Sequence, residues 1–366
     1  MIAVYVSGHG FGHATRTAEV LRQVRERASD VPITVTTSAP AFLFEGVVVP
    51  PLQTRRLECD VGLVQKDALV IDEAATAARC RGFAAGWDTL VASEAQWLKA
   101  VQARLVVGDI PPLAFAAAAA AGVSSVAMSN FSWDWIYEHL GAREPSLKEA
   151  VELARQAYAR AELILRLPFA GDLGAFSRVD DVPLVVRRPA IPKAEARRRL
   201  GLGDEPLVLL SFGGLGLPRI SLRSYGVLEA YRFVLTGGRK DQAAPPNLRL
   251  MDGQDLEAAR LAYIDLVGAA DVVVTKPGYG IVTDCIGAGT RMVYTDRGDF
   301  PEYPILSRGM QRYIPAVYAT NDDICGGRLG PALDKVMSMA LPQTPRIDGA
   351  EVAADFLLSR LRRPAL

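Results

Sequence analysis

The sequence has few cysteines, no net charge and no long apolar segment. Its four cysteines, Cys59, Cys80, Cys285 and Cys325, are widely spaced and form no CxxC pair. Neither a zinc site nor a disulfide framework is therefore predicted. The 41 basic residues balance 41 acidic ones, which argues against nucleic acid or an anionic membrane as the main ligand.

Long hydrophobic runs are also missing. The most apolar stretch, residues 113–121, is mostly alanine and too short to span a bilayer. Residues 1–6 lack the basic start and the small-residue cleavage site of a signal peptide. We therefore expect a cytoplasmic protein with no transmembrane segment.

What the chain does contain is the composition of a folded protein. Half of its 366 residues are hydrophobic and 22% are charged, which excludes disorder as the main state. This length suggests about two or three domains of ordinary size.

The first half alternates apolar, strand-like runs with helical segments. The predicted strands are residues 2–7, 33–37, 105–108, 125–128 and 163–167, and the predicted helices include 15–28 and 113–121. Strand–helix alternation without hairpin dipeptides predicts a parallel sheet covered by helices on both faces.

The second half repeats this alternation. Its predicted strands are 207–211, 233–236, 248–250, 271–275 and 293–295, with helices up to about 231, around 256–267 and at 349–361. We predict an N-terminal domain (1–170), a linker rich in proline and glycine (171–192), a C-terminal domain (193–345) and a final helical segment (346–366). Two doubly wound α/β domains of Rossmann type would place a ligand in a cleft between them, at the carboxyl ends of the strands.

Three strand–turn–helix junctions carry glycines that let a ligand approach the backbone. They contain Gly8, Gly10 and Gly12; Gly213 and Gly214; and Gly278 and Gly280. Backbone N–H groups at a helix start attract phosphate. Three such turns spread over both halves indicate a phosphate-bearing ligand.

The first turn does not fit a dinucleotide fingerprint. That motif needs an acidic residue about 20 positions later, at the end of the second strand, where this chain has Thr36-Thr37-Ser38. A Walker A loop is excluded as well, because no glycine turn ends in Gly-Lys-Ser or Gly-Lys-Thr.

Five segments carry a resemblance to a known family. They are 8–16 (GHGFGHATR), 64–69 (VQKDAL), 129–137 (SNFSWDWIY), 181–188 (DVPLVVRR) and 276–280 (KPGYG). With these segments the chain resembles the B-type (GT-B) glycosyltransferases, and more narrowly the glycosyltransferase-like N-terminal region of plant L-arabinokinases and its stand-alone bacterial relatives. The similarity covers almost the whole chain. The sugar-kinase half of those enzymes has no counterpart here, so kinase activity is not implied.

The resemblance implies two Rossmann-like domains, with the acceptor bound by the first and a nucleotide sugar by the second. His13 matches the histidine that acts as general base on the acceptor hydroxyl, a role suited to imidazole. Asp109, at the end of a predicted strand, would orient it. His9 is a further catalytic candidate, and a solvated position in the turn remains its alternative. A helix cap or a bond to a carbonyl remains the alternative for His13, and a helix cap for Asp109.

Acceptor contacts are implied for a second set of residues. An aromatic ring with nearby carboxylates suits a sugar face and its hydroxyls, although a core position remains the alternative for Trp133. The set comprises Gly10, Gly12, Gln65, Asp67, Trp133 and Asp134.

Donor contacts are implied for a third set. Glycines would frame the diphosphate, Thr283 would bond a phosphate oxygen, Asp284 would accept from the ribose hydroxyls and Glu302 would hold donor-sugar hydroxyls. Lys276 would offset the diphosphate charge, and a solvated surface position remains its alternative. The set comprises Gly213, Gly214, Lys276, Gly278, Tyr279, Gly280, Thr283, Asp284 and Glu302.

Two missing motifs bear on mechanism. The chain has no Asp-x-Asp, and its second half has no pair of glutamates eight positions apart. The first is typical of metal-assisted A-type transferases and the second of retaining B-type enzymes, so we expect an inverting transfer without metal or cofactor. The resemblance implies a UDP-sugar as donor and a hydroxyl on a small-molecule or lipid acceptor. A sugar-nucleotide-binding module without turnover, and a sugar-nucleotide epimerase, remain open as alternatives.

Overall fold

Two parallel β-sheets flanked by helices make up the chain. The computed structural model describes residues 1–66, 70–213, 220–238, 240–343 and 346–362. The chain divides into two units. Unit 1 comprises Met1–Val64, Asp72–Val185 and Arg346–Leu366, and unit 2 comprises Gln65–Ile71 and Val186–Pro345.

Unit 1 contains a sheet of seven parallel strands within the described residues. The strands are β1 (Ile2–Val6), β2 (Ile33–Thr37), β3 (Leu52–Arg56), β4 (Leu105–Asp109), β5 (Ser125–Ser129), β6 (Leu163–Arg166) and β7 (Val179–Asp181). The helices before residue 186 are α1 (Phe11–Arg27), α2 (Phe42–Glu45), α3 (Glu73–Ala85), α4 (Trp87–Ala100), α5 (Pro112–Ala121), α6 (Trp133–Gly141) and α7 (Lys148–Tyr158).

The strand order in unit 1 is β3-β2-β1-β4-β5-β6-β7. The chain therefore reverses direction across the sheet between β1 and β4, and these two strands are direct neighbours with Val6 opposite Asp109. Because parallel strands end at the same edge, the turn after β1 and the carboxylate ending β4 are brought together there. Ligands of doubly wound folds bind at such a switch point.

Unit 2 contains a sheet of six parallel strands within the described residues, in the order β10-β9-β8-β11-β12-β13. The helices and strands are α8 (Lys193–Arg199), β8 (Leu207–Leu210), β9 (Arg232–Thr236), β10 (Leu248–Met251), α9 (Gly253–Ala258), α10 (Tyr263–Ala269), β11 (Val272–Thr275), α11 (Tyr279–Ala288), β12 (Arg291–Tyr294), α12 (Glu302–Met310), β13 (Ala316–Tyr318), α13 (Asn321–Cys325) and α14 (Gly330–Ser338). Its switch point lies between β8 and β11, where Leu210 pairs with Val274.

The last helix, α15 (Gly349–Leu361), belongs to unit 1 although it follows unit 2 in the chain. Arg27 at the end of α1 forms an ion pair with Asp355, at 2.8 Å. Ala353, Ala354 and Leu357 are buried. The predicted bounds of this helix agree with the structure.

The predicted fold class, two doubly wound parallel-sheet units, is confirmed, but two predicted helices are wrong. Around residues 220–231 the structure has only a 3-10 helix, Leu222–Val227; Gly226 and the serine hydroxyls disfavour an α-helix there. The predicted helix 256–267 is two helices, because Arg260 adopts a left-handed φ of 53° and Asp265 accepts from the Ala262 N–H to start α10. Strands β3, β7 and β13 were not predicted.

Candidate functional site

The turn after β1 places His13 in the interior of unit 1. Gly10 has a φ of 77° and caps α1, a left-handed conformation that favours glycine. A Cβ on Gly8 would lie 1.9 Å from Ser38 Oγ, so this glycine lets the loop after β2 close on the turn. Helix α1 begins at Phe11, four residues earlier than predicted, and includes Gly12. His13 is thereby buried in the first turn of the helix.

His13 and Asp109 are in direct contact. His13 Nδ1 lies 2.8 Å from Asp109 Oδ1, and the carboxylate is fully buried. Burial alone would raise the pKa of Asp109, but the charges of Arg16 and His13 and their hydrogen bonds lower it to about 2. An ionised carboxylate only accepts hydrogen bonds, so in neutral His13 the proton is on Nδ1 and Nε2 bears the lone pair. The pair has the geometry of an oriented general base.

Arg16, one helical turn after His13, holds the same carboxylate. Its Nε donates to Asp109 Oδ2 at 2.7 Å and its Nη2 to Oδ1 at 2.5 Å. Nη2 also lies 3.0 Å from Ser129 Oγ and 3.0 Å from His13 Nδ1. Because Arg16 only donates and Nη2 has two oxygen acceptors, the proximity to Nδ1 does not displace the proton on that nitrogen.

Two further hydrogen bonds extend this network. Arg16 Nη1 donates to Asn130 Oδ1 at 2.7 Å and Thr17 Oγ1 donates to Asp109 Oδ2 at 2.8 Å. Arg16, Thr17, Ser129 and Asn130 are all buried. Sequence reasoning did not assign functions to these residues. The available signal was that Arg16 and Asn130 both lie inside the segments that carried the resemblance.

His9 is held differently from His13. The Leu63 N–H donates to His9 Nδ1 at 3.3 Å. Gly62 makes this approach possible, because it has a φ of 63° and a Cβ there would lie 2.7 Å from Nδ1. The proton of neutral His9 is therefore on Nε2.

An aromatic cluster of Phe131 and Trp133 connects the two imidazoles. His9 packs edge-on against Trp133, with ring centres 5.4 Å apart, and His13 packs edge-on against Phe131 at 5.3 Å. Phe131 and Trp133 contact each other at 5.1 Å. The cluster therefore fixes both histidines against one rigid support.

Trp133 is fully buried and donates from Nε1 to Asp60 Oδ2 at 2.8 Å. Burial raises the pKa of Asp60, while hydrogen bonds from Ser7 and Trp133 act in the opposite direction. The structure thus gives Trp133 a supporting position. Its contact with an acceptor stays a prediction.

The other predicted acceptor residues lie in different surroundings. Asp134 is buried in the first turn of α6, with Oδ2 3.4 Å from Arg155 Nε. Gln65 forms an antiparallel bridge with Ile71 in the short segment that groups with unit 2. Asp67 lies outside the described residues.

In unit 2, the KPGYG segment joins β11 to α11. Gly278 caps the helix, and Tyr279 and Gly280 are its first two residues, with Tyr279 buried. Lys276 is half-buried in the loop before the cap. The predicted phosphate-binding turn is therefore at a helix N-terminus, as the sequence indicated. Gly213 follows β8 with a φ of 72°, and Gly214 lies outside the described residues.

Thr283 and Asp284 both have partners inside unit 2. Thr283 Oγ1 donates to the carbonyl oxygens of Gly280, at 3.0 Å, and Tyr279, at 3.1 Å. Asp284 is buried and accepts from Arg187 through both oxygens, with Nε at 2.9 Å from Oδ1 and Nη2 at 2.5 Å from Oδ2. Each carboxylate oxygen keeps a second lone pair, so this pairing leaves Asp284 able to accept a ribose hydroxyl.

Glu302 forms a second buried ion pair in unit 2, with Oε2 2.7 Å from Arg297 Nη1. Arg297 Nη1 also lies 3.3 Å from the Pro277 carbonyl oxygen, and the guanidinium stacks on Phe300 at 4.2 Å. A Cβ on Gly278 would lie 3.7 Å from the same nitrogen. The arrangement places the Arg297–Glu302 pair beside the α11 N-terminus, whose backbone N–H groups attract an anion.

The described residues contain neither a membrane-spanning helix nor a cluster of metal ligands. None of the helices seen there is long and apolar enough to cross a membrane. In the same part of the chain, no three His, Cys, Asp or Glu side chains are grouped as metal ligands would be.

Comparison with solved structures identifies the fold as that of the GT-B glycosyltransferases. The chain superposes on UGT89C1 of Arabidopsis thaliana in complex with quercetin with a TM-score of 0.65, at 14% identity, covering 98% of each chain. It superposes on the glycotransferase of kitacinnamycin with a TM-score of 0.61, at 17% identity, covering 99% of this chain and 94% of the other. These likenesses extend over both units.

Sequence comparison gives a nearer relative. The chain is 34% identical over 362 residues, 98% of its length, to L-arabinokinase of Arabidopsis thaliana. It spans about a third (34%) of that protein's length. A comparison with protein-family models finds no match.

Proposed function

We propose that this protein is a glycosyltransferase that uses a nucleotide sugar, and that His13 is its general base. The observation that carries the proposal is the 2.8 Å contact between His13 Nδ1 and the buried Asp109 carboxylate. It leaves Nε2 able to take a proton, as deprotonation of an acceptor hydroxyl requires.

Unit 2 supports a UDP-sugar as donor. Solved structures of UGT89C1 hold UDP and UDP-L-rhamnose, and in this proposal the diphosphate lies at the α11 N-terminus, near Arg297. In this proposal Asp284 accepts from the ribose and Glu302 from the donor sugar. The nucleotide base is expected to be uracil by likeness to those complexes.

The proposed reaction is a single displacement with inversion and without a metal. His13 Nε2 takes the acceptor proton, the hydroxyl oxygen forms a bond to the anomeric carbon, and the bond from that carbon to the diphosphate breaks. The electron pair leaves with UDP. The α11 N-terminus and Arg297 would stabilise the negative charge on the leaving group.

A catalytically silent binding module is the second candidate. The chain matches only 34% of the length of L-arabinokinase, so the activity in that protein's name need not depend on the region shared with this chain. This candidate predicts binding of UDP-sugars without turnover.

The test is a product screen. The protein is incubated with UDP-sugars and pools of hydroxyl acceptors, with release of UDP and formation of new glycosides measured by mass spectrometry. Transfer that depends on His13 and is unaffected by chelators supports the enzyme, and the anomeric configuration of the product tests inversion. UDP affinity without any transfer would favour the silent module.

A further inference from the structure

The two histidines of the first turn are locked in opposite tautomers. His9 Nδ1 receives a backbone N–H from Leu63, whereas His13 Nδ1 faces the ionised Asp109. A backbone N–H can only donate and a carboxylate can only accept. Neutral His9 is therefore protonated at Nε2, and neutral His13 at Nδ1.

We propose that His9 is a hydrogen-bond donor to an oxygen of the substrate, acting beside the base His13. This inference rests on the proposed function. It gives His9 a positioning role in which Nε2 donates a hydrogen bond, whereas Nε2 of His13 accepts a proton. A neutral imidazole held as an Nε2–H donor recognises either an acceptor hydroxyl or a phosphoryl oxygen.

Three features of unit 1 support the assignment. The two histidines are four residues apart on either side of Gly10, in the turn at the sheet switch point. Both rings pack edge-on against the Phe131–Trp133 pair. Trp133 is in turn fixed by its bond to Asp60, so the ring orientations are set by buried groups.

Gly62 adds an independent constraint. It contacts the His9 ring so closely that a Cβ would lie 2.7 Å from Nδ1 and 2.8 Å from Cγ. This close approach lets the Leu63 N–H reach Nδ1, and it would not be needed for a histidine that was merely solvated. The backbone is thus shaped to choose one His9 tautomer.

The first experiment reads the tautomers directly. The protein has three histidines, so ¹⁵N-histidine labelling gives three ring systems, assigned with His9→Gln, His13→Gln and His139→Gln. At about pH 9, above the usual range of imidazole titration, two-bond ¹H–¹⁵N spectra should show His9 as Nε2–H and His13 as Nδ1–H. His9 as Nδ1–H, or an average of both forms, would overturn the inference. This result needs no substrate, so it stands apart from the proposed function.

The second experiment tests the donor role with the substrates found in the product screen. Gln places an amide N–H near the position of Nε2, so His9→Gln should keep most of kcat/KM while His9→Ala loses about tenfold, the value of one neutral hydrogen bond. At His13 the amide is no base, and Gln should be as damaging as Ala. Equal losses in both His9 variants would contradict the proposal.

The same variants identify the oxygen that His9 contacts. A loss seen in the acceptor KM with unchanged UDP affinity indicates a hydroxyl of the acceptor. A loss in UDP affinity by calorimetry indicates a phosphoryl oxygen. A loss in kcat alone, with both affinities and the pH profile unchanged, would contradict a positioning contact with bound substrate.

Discussion

Arg16 and Asp109 form a buried, two-pronged ion pair directly beside His13. The guanidinium contacts both carboxylate oxygens, at 2.7 and 2.5 Å, while Oδ1 also accepts from His13. Asp109 therefore has two roles. It fixes the tautomer of neutral His13 and supplies a counter-charge to the buried Arg16.

Replacing Asp109 should damage both stability and activity. Asp109→Asn removes the carboxylate charge from the buried pair with Arg16, and breaking a buried ion pair costs about 3–5 kcal/mol of unfolding free energy. The amide also no longer selects the Nδ1–H tautomer, so kcat should fall by about 10²- to 10⁴-fold. Denaturant unfolding and UDP release measure the two effects.

The matched control is Asp181→Asn, which breaks the exposed pair with Arg166. Surface pairs contribute about 0–1 kcal/mol, so this variant should unfold nearly as the wild type does. Equal destabilisation by both substitutions would contradict the role given to the Arg16–Asp109 pair.

The ion pair also predicts how stability depends on pH. The pKa of Asp109 is about 2 in the folded protein, below about 3.9 for an unfolded chain. Its ionised form therefore stabilises the fold above about pH 4, and this contribution, about 2–3 kcal/mol, is lost as the pH falls towards 2. The difference in unfolding free energy between wild type and Asp109→Asn should shrink over that range. A constant difference would show that Asp109 is not the titrating group.

Ionisation of Asp60 should have the opposite effect on the stability of the fold. Burial raises its pKa, so ionisation of Asp60 opposes folding at neutral pH. Asp60→Asn keeps an oxygen that accepts from Trp133 Nε1 and removes the charge. We expect its unfolding free energy at pH 7 to equal or exceed that of the wild type, with the difference vanishing in acid as Asp60 takes up a proton. Marked destabilisation at pH 7 would mean that the Asp60 charge supports the fold.

The Arg187–Asp284 pair makes the ribose assignment testable. If Asp284 accepts from ribose hydroxyls, Asp284→Asn should weaken UDP binding by about tenfold, or 1–2 kcal/mol. Affinity for 2′,3′-dideoxy-UDP should be the same in wild type and variant. Calorimetry with both nucleotides separates the loss of a ribose contact from a loss of affinity that does not involve the ribose hydroxyls. A similar loss for both would indicate that Asp284 only anchors Arg187.

Alanine substitutions at two glycines should change the free energy of unfolding in opposite directions. A Cβ on Gly287 would lie 2.2 Å from the Arg187 carbonyl oxygen, so Gly287→Ala should cost about 1–3 kcal/mol of unfolding free energy. Gly82 lies inside α3, and a Cβ added there would have no neighbouring atom within 4 Å. Gly82→Ala should therefore stabilise by about 0.5–1 kcal/mol. Thermal unfolding of the two variants checks the close approach of residues 186–188 to α11.

Local sequence patterns predicted much of the fold. The apolar strands at 2–7 and 33–37 and the helix Gly349–Leu361 were recognised because their periodicity is strong and their ends are marked. Strand β13 was missed because three residues carry too little pattern. The break at Arg260 depends on the capping carboxylate of Asp265, which competes with a continuous helix.

The candidate site shows the same limit. His13 and the glycine turns could be selected from the sequence because the residue types and positions match a family motif, and Asp109 because it ends a predicted strand. The Arg16 contact could not, because an arginine inside an amphipathic helix is usually solvated. Its partners Asp109 and Asn130 are 93 and 114 residues away. The opposite tautomers of His9 and His13 likewise depend on backbone and carboxylate partners that only the folded chain brings together.

The role of His13 as the base of a sugar transfer is tested most directly by measuring turnover and nucleotide affinity on the same variants. UDP release from UDP-sugars and UDP affinity are measured on wild type, His13→Ala and the control His139→Ala. We predict that His13→Ala loses at least about 10²-fold in kcat and binds UDP as the wild type does, while His139→Ala keeps both. Full turnover in His13→Ala would show that His13 is not the base.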